Sequence, residues 1–284
     1  MPDYYASPGL RQIANSDLLT IPLTGIEAQI YDRVWRAIVE GKLKCGGKLR
    51  EDVIGGVFGV SRTVVRKVMV IMEQEGIVYL PPNLGAYVAT PTPEATRAVL
   101  EAVHMMMTYI IKALGAPDRE WTSEQRHLFD LHIAAQAEAD SAGDFVTSRL
   151  LTGEYYVLLA AIYGNEILTQ QAAHLFTRYV MGLSLYQVAL LAPARAASQR
   201  QIVDHLIAGE AEAAGAIVMA NFAEVERSLR FTTEDEDNDL KAILGHRRVD
   251  TPLKAVSPHA PPKTKGTAGR AASSKITKAP TAKN

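Results

Sequence analysis

GVSRTVVRKVMVIMEQEGIVYL, residues 59–80, is the stretch on which the fold turns. Ser61 stands where an N-cap hydroxyl would accept one of the free backbone N–H groups that open a helix. Val65, Val68, Met69 and Met72 then recur at helical spacing and form one inward face, and Gly76 ends the run. Upstream, GIEAQIYDRVWRAIVEGKL (25–43) carries Ile26, Ile30, Val34 and Ile38 at steps of four and stops at Gly41, a C-cap glycine. A turn is expected at Cys45, Gly46 and Gly47, followed by a short, glycine-weakened helix in EDVIGGVFG (51–59). Downstream, the β-prone runs IVYL and AYVAT are joined by PPNLG, a hairpin with a glycine at its tip. Three helices and a hairpin make a winged helix-turn-helix over residues 21–90.

In such a module the second helix of the pair enters the major groove N-terminus first, so its opening turns face base edges. Here those turns hold Ser61, Arg62, Thr63, Arg66 and Lys67. Arg62 and Arg66 are four apart and opposite the apolar face, which points two guanidinium forks outward together. Arginine is the preferred partner of guanine O6 and N7, threonine suits a phosphate or a thymine methyl, and lysine adds sequence-independent charge.

From Pro93 to about residue 231 there is no convincing strand. Six amphipathic stretches, beginning at Pro93, Thr122, Asp144, Asn165, Arg195 and Glu210, imply an all-helical bundle without a repeat period. The fold class expected is therefore mainly α: an N-terminal winged helix-turn-helix plus a C-terminal helical bundle. Residues 1–20 are read as an extension, and 232–284 as an acidic patch, TTEDEDND, followed by a disordered tail. The tail is either a solvated terminus or a basic arm attracted to phosphates.

YDRVWRAIVEGKL, GGKLRED, FGVSRTVVRKVMVIMEQEGIVYL and PPNLGAYVA resemble the winged helix-turn-helix of GntR-family bacterial transcription regulators. The resemblance places the family's contact arginines on Arg62 and Arg66 and its wing glycine on Gly85. It adds Arg50 and Asn83 to the expected DNA contacts. There are departures: Val64 and Cys45 stand where prolines are usual, Lys67 where an acid is usual, and Pro81 and Leu84 where wing bases are frequent.

The helical half resembles the FadR-like subgroup, whose FCD domain usually holds a divalent metal and a small carboxylate. LTGEYYVLLAAIYGNEIL and SQRQIVDHLIAGEAEAA fall on the subgroup's ligand-bearing helices. That alignment puts Thr152, Tyr156, Gln199 and Asn221 where the family has an aspartate and three histidines. Neutral hydroxyls and amides are poor ligands for transition metals, so no metal and no cofactor are expected. The four could instead hold an organic effector directly, with His104 as a fifth member. Without a cation to neutralise a carboxylate, that effector is expected to be neutral or weakly acidic.

The remaining histidines give no metal pattern. His127 and His132 are five apart, on different faces, and His174 and His205 are isolated.

Composition sets the outer bounds. The 284 residues are 48% hydrophobic and 21% charged, enough for about two domains. One cysteine allows no intramolecular disulfide and suits a cytoplasmic setting. No export signal or membrane helix is recognisable. Basic and acidic residues number 10 and 9 in 1–90, 10 and 21 in 91–240, and 10 and 1 in 241–284, so the net charge of −1 conceals a strong asymmetry. No nucleophile with a base, phosphate-binding glycine loop or metal cluster occurs at usable spacing, which argues against an enzyme. The expected protein is a homodimeric repressor of a pseudo-palindromic double-stranded DNA operator, controlled by a small organic effector. The alternative is an effector-independent architectural DNA-binding protein with an inert pocket.

Overall fold

The structure is a computed structural model that describes residues 4–14, 23–187 and 195–231. Met1–Thr232 form one compact unit. The acidic patch and basic tail expected over 232–284 lie outside the described residues.

A short helix α1 (Pro8–Ile13) precedes the head, which runs α2 (Gly25–Val39), β1 (Lys48–Leu49), α3 (Glu51–Phe58), α4 (Arg62–Gln74), β2 (Val78–Tyr79) and β3 (Ala86–Val88). Ser61 caps α4 by accepting the Val64 N–H, and Val65, Val68, Met69 and Met72 are buried against α2 and α3. Ile30, Val34 and Ile38 are buried on α2, but Ile26, in its first turn, is exposed. The hairpin gains a third strand that the sequence reading did not anticipate. β1 pairs antiparallel with β3, which pairs with β2, giving the order β1-β3-β2. Leu49 and Ala86 are both buried at that junction, closing the sheet over the head's core.

The helical part is α5 (Pro93–Leu114), α6 (Ser123–Ala142), α7 (Phe145–Tyr163), α8 (Glu166–Tyr186), α9 (Arg195–Ile207) and α10 (Ala211–Ser228). These six match the six expected stretches. Helix α7 differs from the amphipathic stretch expected there: it is buried nearly all round and packs against α6, α8 and α5. Gln187 bridges Leu229, so the chain beyond α8 meets the end of α10.

The N-terminal segment ties the head to this central helix. Ser7 caps α1, with Pro8 at the first helical position, and Leu10 is fully buried against the bundle. The backbone N–H groups of Ala6 and Ser7 donate to the Glu154 carboxylate on α7 at 3.0 and 2.6 Å. The hydroxyls of Tyr4 and Tyr31 both donate to buried Glu75, at the C-terminal end of α4. On the α2 side, Arg36 donates to Thr147 of α7 at 2.9 Å. The segment also pairs Ser7 Oγ with Nδ1 of fully buried His132, 2.7 Å away.

Two predictions follow from this strap. A Cβ on Gly9 would sit 2.4 Å from the Leu128 carbonyl oxygen, a backbone atom that cannot swing away. Gly9→Ala should therefore cost about 1–3 kcal/mol in urea denaturation, and an unchanged midpoint would contradict the packing described. Burial pushes the His132 imidazole down to about 3 from its ordinary 6.5, so between those values the unfolded chain takes up a proton that the folded one refuses. Its stabilising contribution is complete above pH 6.5 and is lost as pH falls. Relative to His132→Gln, the parent should lose stability between pH 6.5 and 4.5, with a slope approaching about 1.4 kcal/mol per pH unit. Parallel stability curves would refute the assignment.

Candidate functional site

The first candidate surface is built on the opening turns of α4. Arg62, Thr63, Arg66 and Lys67 line one open groove with Asn83 and Gly85 from the hairpin tip. Asn83 has φ 61° and Gly85 φ 92°, left-handed values that turn the chain between β2 and β3 and bring the tip beside α4. Ser61 stays at the N-cap, where its hydroxyl serves the helix. Arg50 is not among the groove residues; it is exposed and pairs with Asp52 at 2.9 Å.

A carboxylate that sequence reasoning missed organises the groove. Glu51, in the first turn of α3, is only 9% exposed and receives Arg66 at 2.8 Å and Arg62 at 3.5 Å. It holds the two guanidinium groups on a common anchor while leaving them 75% and 44% exposed. Lys67 is paired with Glu27 of α2 at 2.7 Å. No periodicity could have shown this, because the partners lie 11 and 15 residues apart in sequence and on different helices. Two exposed arginine forks on one helix turn, beside a short wing, can bind base edges and phosphates together.

The second candidate is a cavity of about 180 Å³ in the helical part. Thr152 and Tyr156 of α7, Gln199 of α9 and Asn221 of α10 all line it, four residues spread over 70 positions. His104 does not join them. Its ring packs at a tilt against Phe222 with centroids 4.5 Å apart, and Phe222 in turn stacks on Tyr156, so an aromatic side chain stands between. His104 instead lines a separate depression with Glu226, 3.8 Å away.

Hydrogen bonds lock much of the polar wall. Gln199 Nε2 donates to Gln136 Oε1 at 3.2 Å, and the Gln136 amide donates to Asp140 and to Ser148. Asn221 donates to Ser198 at 2.9 Å, and the Tyr155 hydroxyl donates to the Gln199 carbonyl at 3.1 Å. Burial pushes the Tyr156 hydroxyl up to about 12, although Asn221 and the Arg195 charge oppose the shift.

Two cations missed by sequence reasoning also line the cavity, Arg149 of α7 and Arg195 of α9. The expectation of a ligand held without a cation is corrected accordingly. An arginine within a helix ordinarily reads as solvated surface, and only the burial of α7 on all sides brings Arg149 inward. Arg195 donates to Thr152 Oγ1 at 3.0 Å. Burial first, and the Arg195 charge second, hold the Arg149 guanidinium below its ordinary range. The donor set does not suit a divalent metal, since neutral oxygens and amides sit beside two positive charges. Among the described residues no three His, Cys, Asp or Glu side chains converge as a metal-holding group.

Comparison with known proteins places the head. Residues 26–88 match the model of the bacterial regulatory proteins of the gntR family. The N-terminal module is a GntR-family winged helix-turn-helix. A curated relative, an HTH-type transcriptional regulator in an unstable DNA locus of Streptomyces ambofaciens, is 33% identical over 64 residues. That match covers 22% of this chain and 27% of the relative, so it concerns the GntR module alone. Two solved structures share the wider fold. A GntR transcriptional regulator from Rhodococcus sp. RHA1 aligns at TM-score 0.59 and 20% identity, covering 73% of this chain and all of its own. E. coli McbR/YncC aligns at TM-score 0.58 and 15% identity, covering 72% and 99%. Among the described residues no helix is long and apolar enough to cross a membrane.

The groove makes a prediction about the GntR module. Arg62→Ala and Arg66→Ala should each cost about 1–3 kcal/mol on the preferred DNA sequence and little on unrelated DNA. Lys67→Ala should weaken both alike and make the salt dependence shallower by about 0.9 in logarithmic slope. Fluorescence anisotropy at several salt concentrations separates these effects. Equal losses on all sequences for the arginine variants would remove them from base reading.

Proposed function

We propose that the chain is a cytoplasmic transcription regulator that binds a pseudo-palindromic double-stranded operator as a homodimer and acts as a repressor. The observation that carries this reading is the groove in which Arg62, Thr63, Arg66 and Lys67 meet the wing residues Asn83 and Gly85. Arg62 and Arg66 read bases, Thr63 and Lys67 contact the backbone, and the wing tip adds phosphate or minor-groove contacts. Ser61 supports them as the helix cap, and Arg50 supplies charge at the groove's edge.

The helical part is the regulatory and dimerisation domain, of FCD type, and a small organic effector in its cavity alters operator affinity. Support comes from the convergence of Thr152, Tyr156, Gln199 and Asn221 on one cavity. The exposed apolar side chains Met105 and Tyr109 on α5 are suited to a second copy. The strap from Tyr4 to Ser7 offers the physical route between the parts, since it bonds both the end of α4 and the centre of α7.

Selection of full-length protein against a random duplex pool tests the reading. Enriched sequences should contain two inverted half-sites about one helical turn apart, bound by two chains. A pool with no enriched sequence, or single half-sites bound by one chain, would overturn it.

A further inference from the structure

The turn at the hairpin tip is held in one conformation. The Leu84 N–H donates to the Pro81 carbonyl at 3.2 Å, closing a turn whose centre is Pro82 and Asn83. Proline presets φ near about −65° at the first central position, and Asn83 takes φ 61° at the second, the combination that a type II turn requires. The base of the turn is fixed as well: Pro81 is buried, and the Leu80 N–H donates to Glu73 of α4 at 2.9 Å. The tip is therefore carried at a set position beside the recognition helix. Pro82, Asn83 and Leu84 are exposed there, and none carries a charge. A single exposed leucine is ordinary on a protein surface. Leu84, 58% exposed, differs by its place, between Asn83 and Gly85, both of which line the groove of Arg62 and Arg66. Positive charge reaches the tip from another strand. Lys48 of β1 stands opposite Tyr87 of β3, with its ammonium 5.5 Å from the centre of that ring, and its Cε would lie 3.6 Å from a Cβ on Gly85.

We propose that Leu84 is a specificity-determining residue: it presses on the floor of the DNA minor groove and selects against guanine, while Lys48 takes the adjacent phosphate. Both kinds of base pair present acceptors on that floor, and G·C adds the guanine N2 amino group. An apolar side chain pressed there meets the amino group and strips it of water without offering an acceptor, so guanine is penalised at the wing position. Leucine and proline are among the side chains that can enter the minor groove in this way. A charged tip would gain equally from every sequence, because phosphates carry no base identity. An uncharged tip on a rigid turn, with its ammonium set back on β1, divides the two tasks between two residues. This role rests on the DNA-binding reading of the GntR module and names the groove its wing enters and the base it rejects.

The test uses the full-length chain and two duplexes of equal length, alternating dG-dC and alternating dI-dC, with binding followed by fluorescence anisotropy. Inosine lacks the N2 amino group but keeps O6 and N7, so the duplexes differ in the minor groove and present the same major-groove edge. The parent chain should bind the dI-dC duplex at least about threefold more tightly. Leu84→Ala, at an exposed position where the fold should survive, should bring that ratio to about one. Arg62→Ala and Lys48→Ala should weaken both duplexes alike and keep the ratio, and Lys48→Ala should make the salt dependence shallower by about 0.9 in logarithmic slope. The role of Leu84 is overturned if the parent binds the two duplexes equally, if it binds neither, or if the preference survives in Leu84→Ala. An unchanged slope in Lys48→Ala overturns its phosphate contact. Selection from the random pool stands apart from this comparison. Inverted half-sites enriched by a chain that shows no inosine effect uphold the operator reading and overturn the role of Leu84. An inosine effect that depends on Leu84, without enriched half-sites, does the reverse.

Discussion

The Glu154 carboxylate is the anchor on which the arrangement of head and bundle depends. It sits on the most enclosed helix of the fold and is held by two backbone N–H groups, from Ala6 and Ser7. Burial raises it to about 7 even though those N–H groups and the Arg36 and Arg11 charges favour ionisation. A carboxylate in such a place is tolerable only while its donors remain, so the N-terminal segment cannot leave without stranding it. The same segment delivers Tyr4 to Glu75, another buried carboxylate whose ionisation burial opposes, at the end of the recognition helix. Head and bundle thus share one buried polar seam.

Helix α7 has a second role on its other side. Arg149, Thr152 and Tyr156 line the cavity, while Glu154, two residues from Thr152 and Tyr156, engages the strap. The cavity wall and the strap are thus bonded to opposite sides of one helix. Arg62 and Arg66 are meanwhile held by Glu51, in the groove beside the hairpin tip.

Much of this was legible in the sequence, and the exceptions have physical reasons. Ser61, the inward face at 65, 68, 69 and 72, and the six helical stretches carry local signals that tertiary packing preserves. The convergence of Thr152, Tyr156, Gln199 and Asn221 was legible through family spacing, not through periodicity. Strand β1 was missed because two residues carry no alternation, and α1 because six residues give no pattern, although Ser7–Pro8 is a helix-opening pair. Arg149 and Arg195 were missed because a charge is read as solvated until the helix bearing it proves enclosed. His104 was misplaced because its sequence position cannot show that Phe222 lies between it and the cavity.

Hydrogen exchange followed by mass spectrometry, on the full-length chain with a selected operator duplex, tests the central claim most directly. The account predicts protection concentrated in the opening turns of α4 and at the hairpin tip, with a smaller change in α7 and the N-terminal strap transmitted through Glu154. Protection confined to the helical bundle, or to segments away from both α4 and the hairpin, would contradict it.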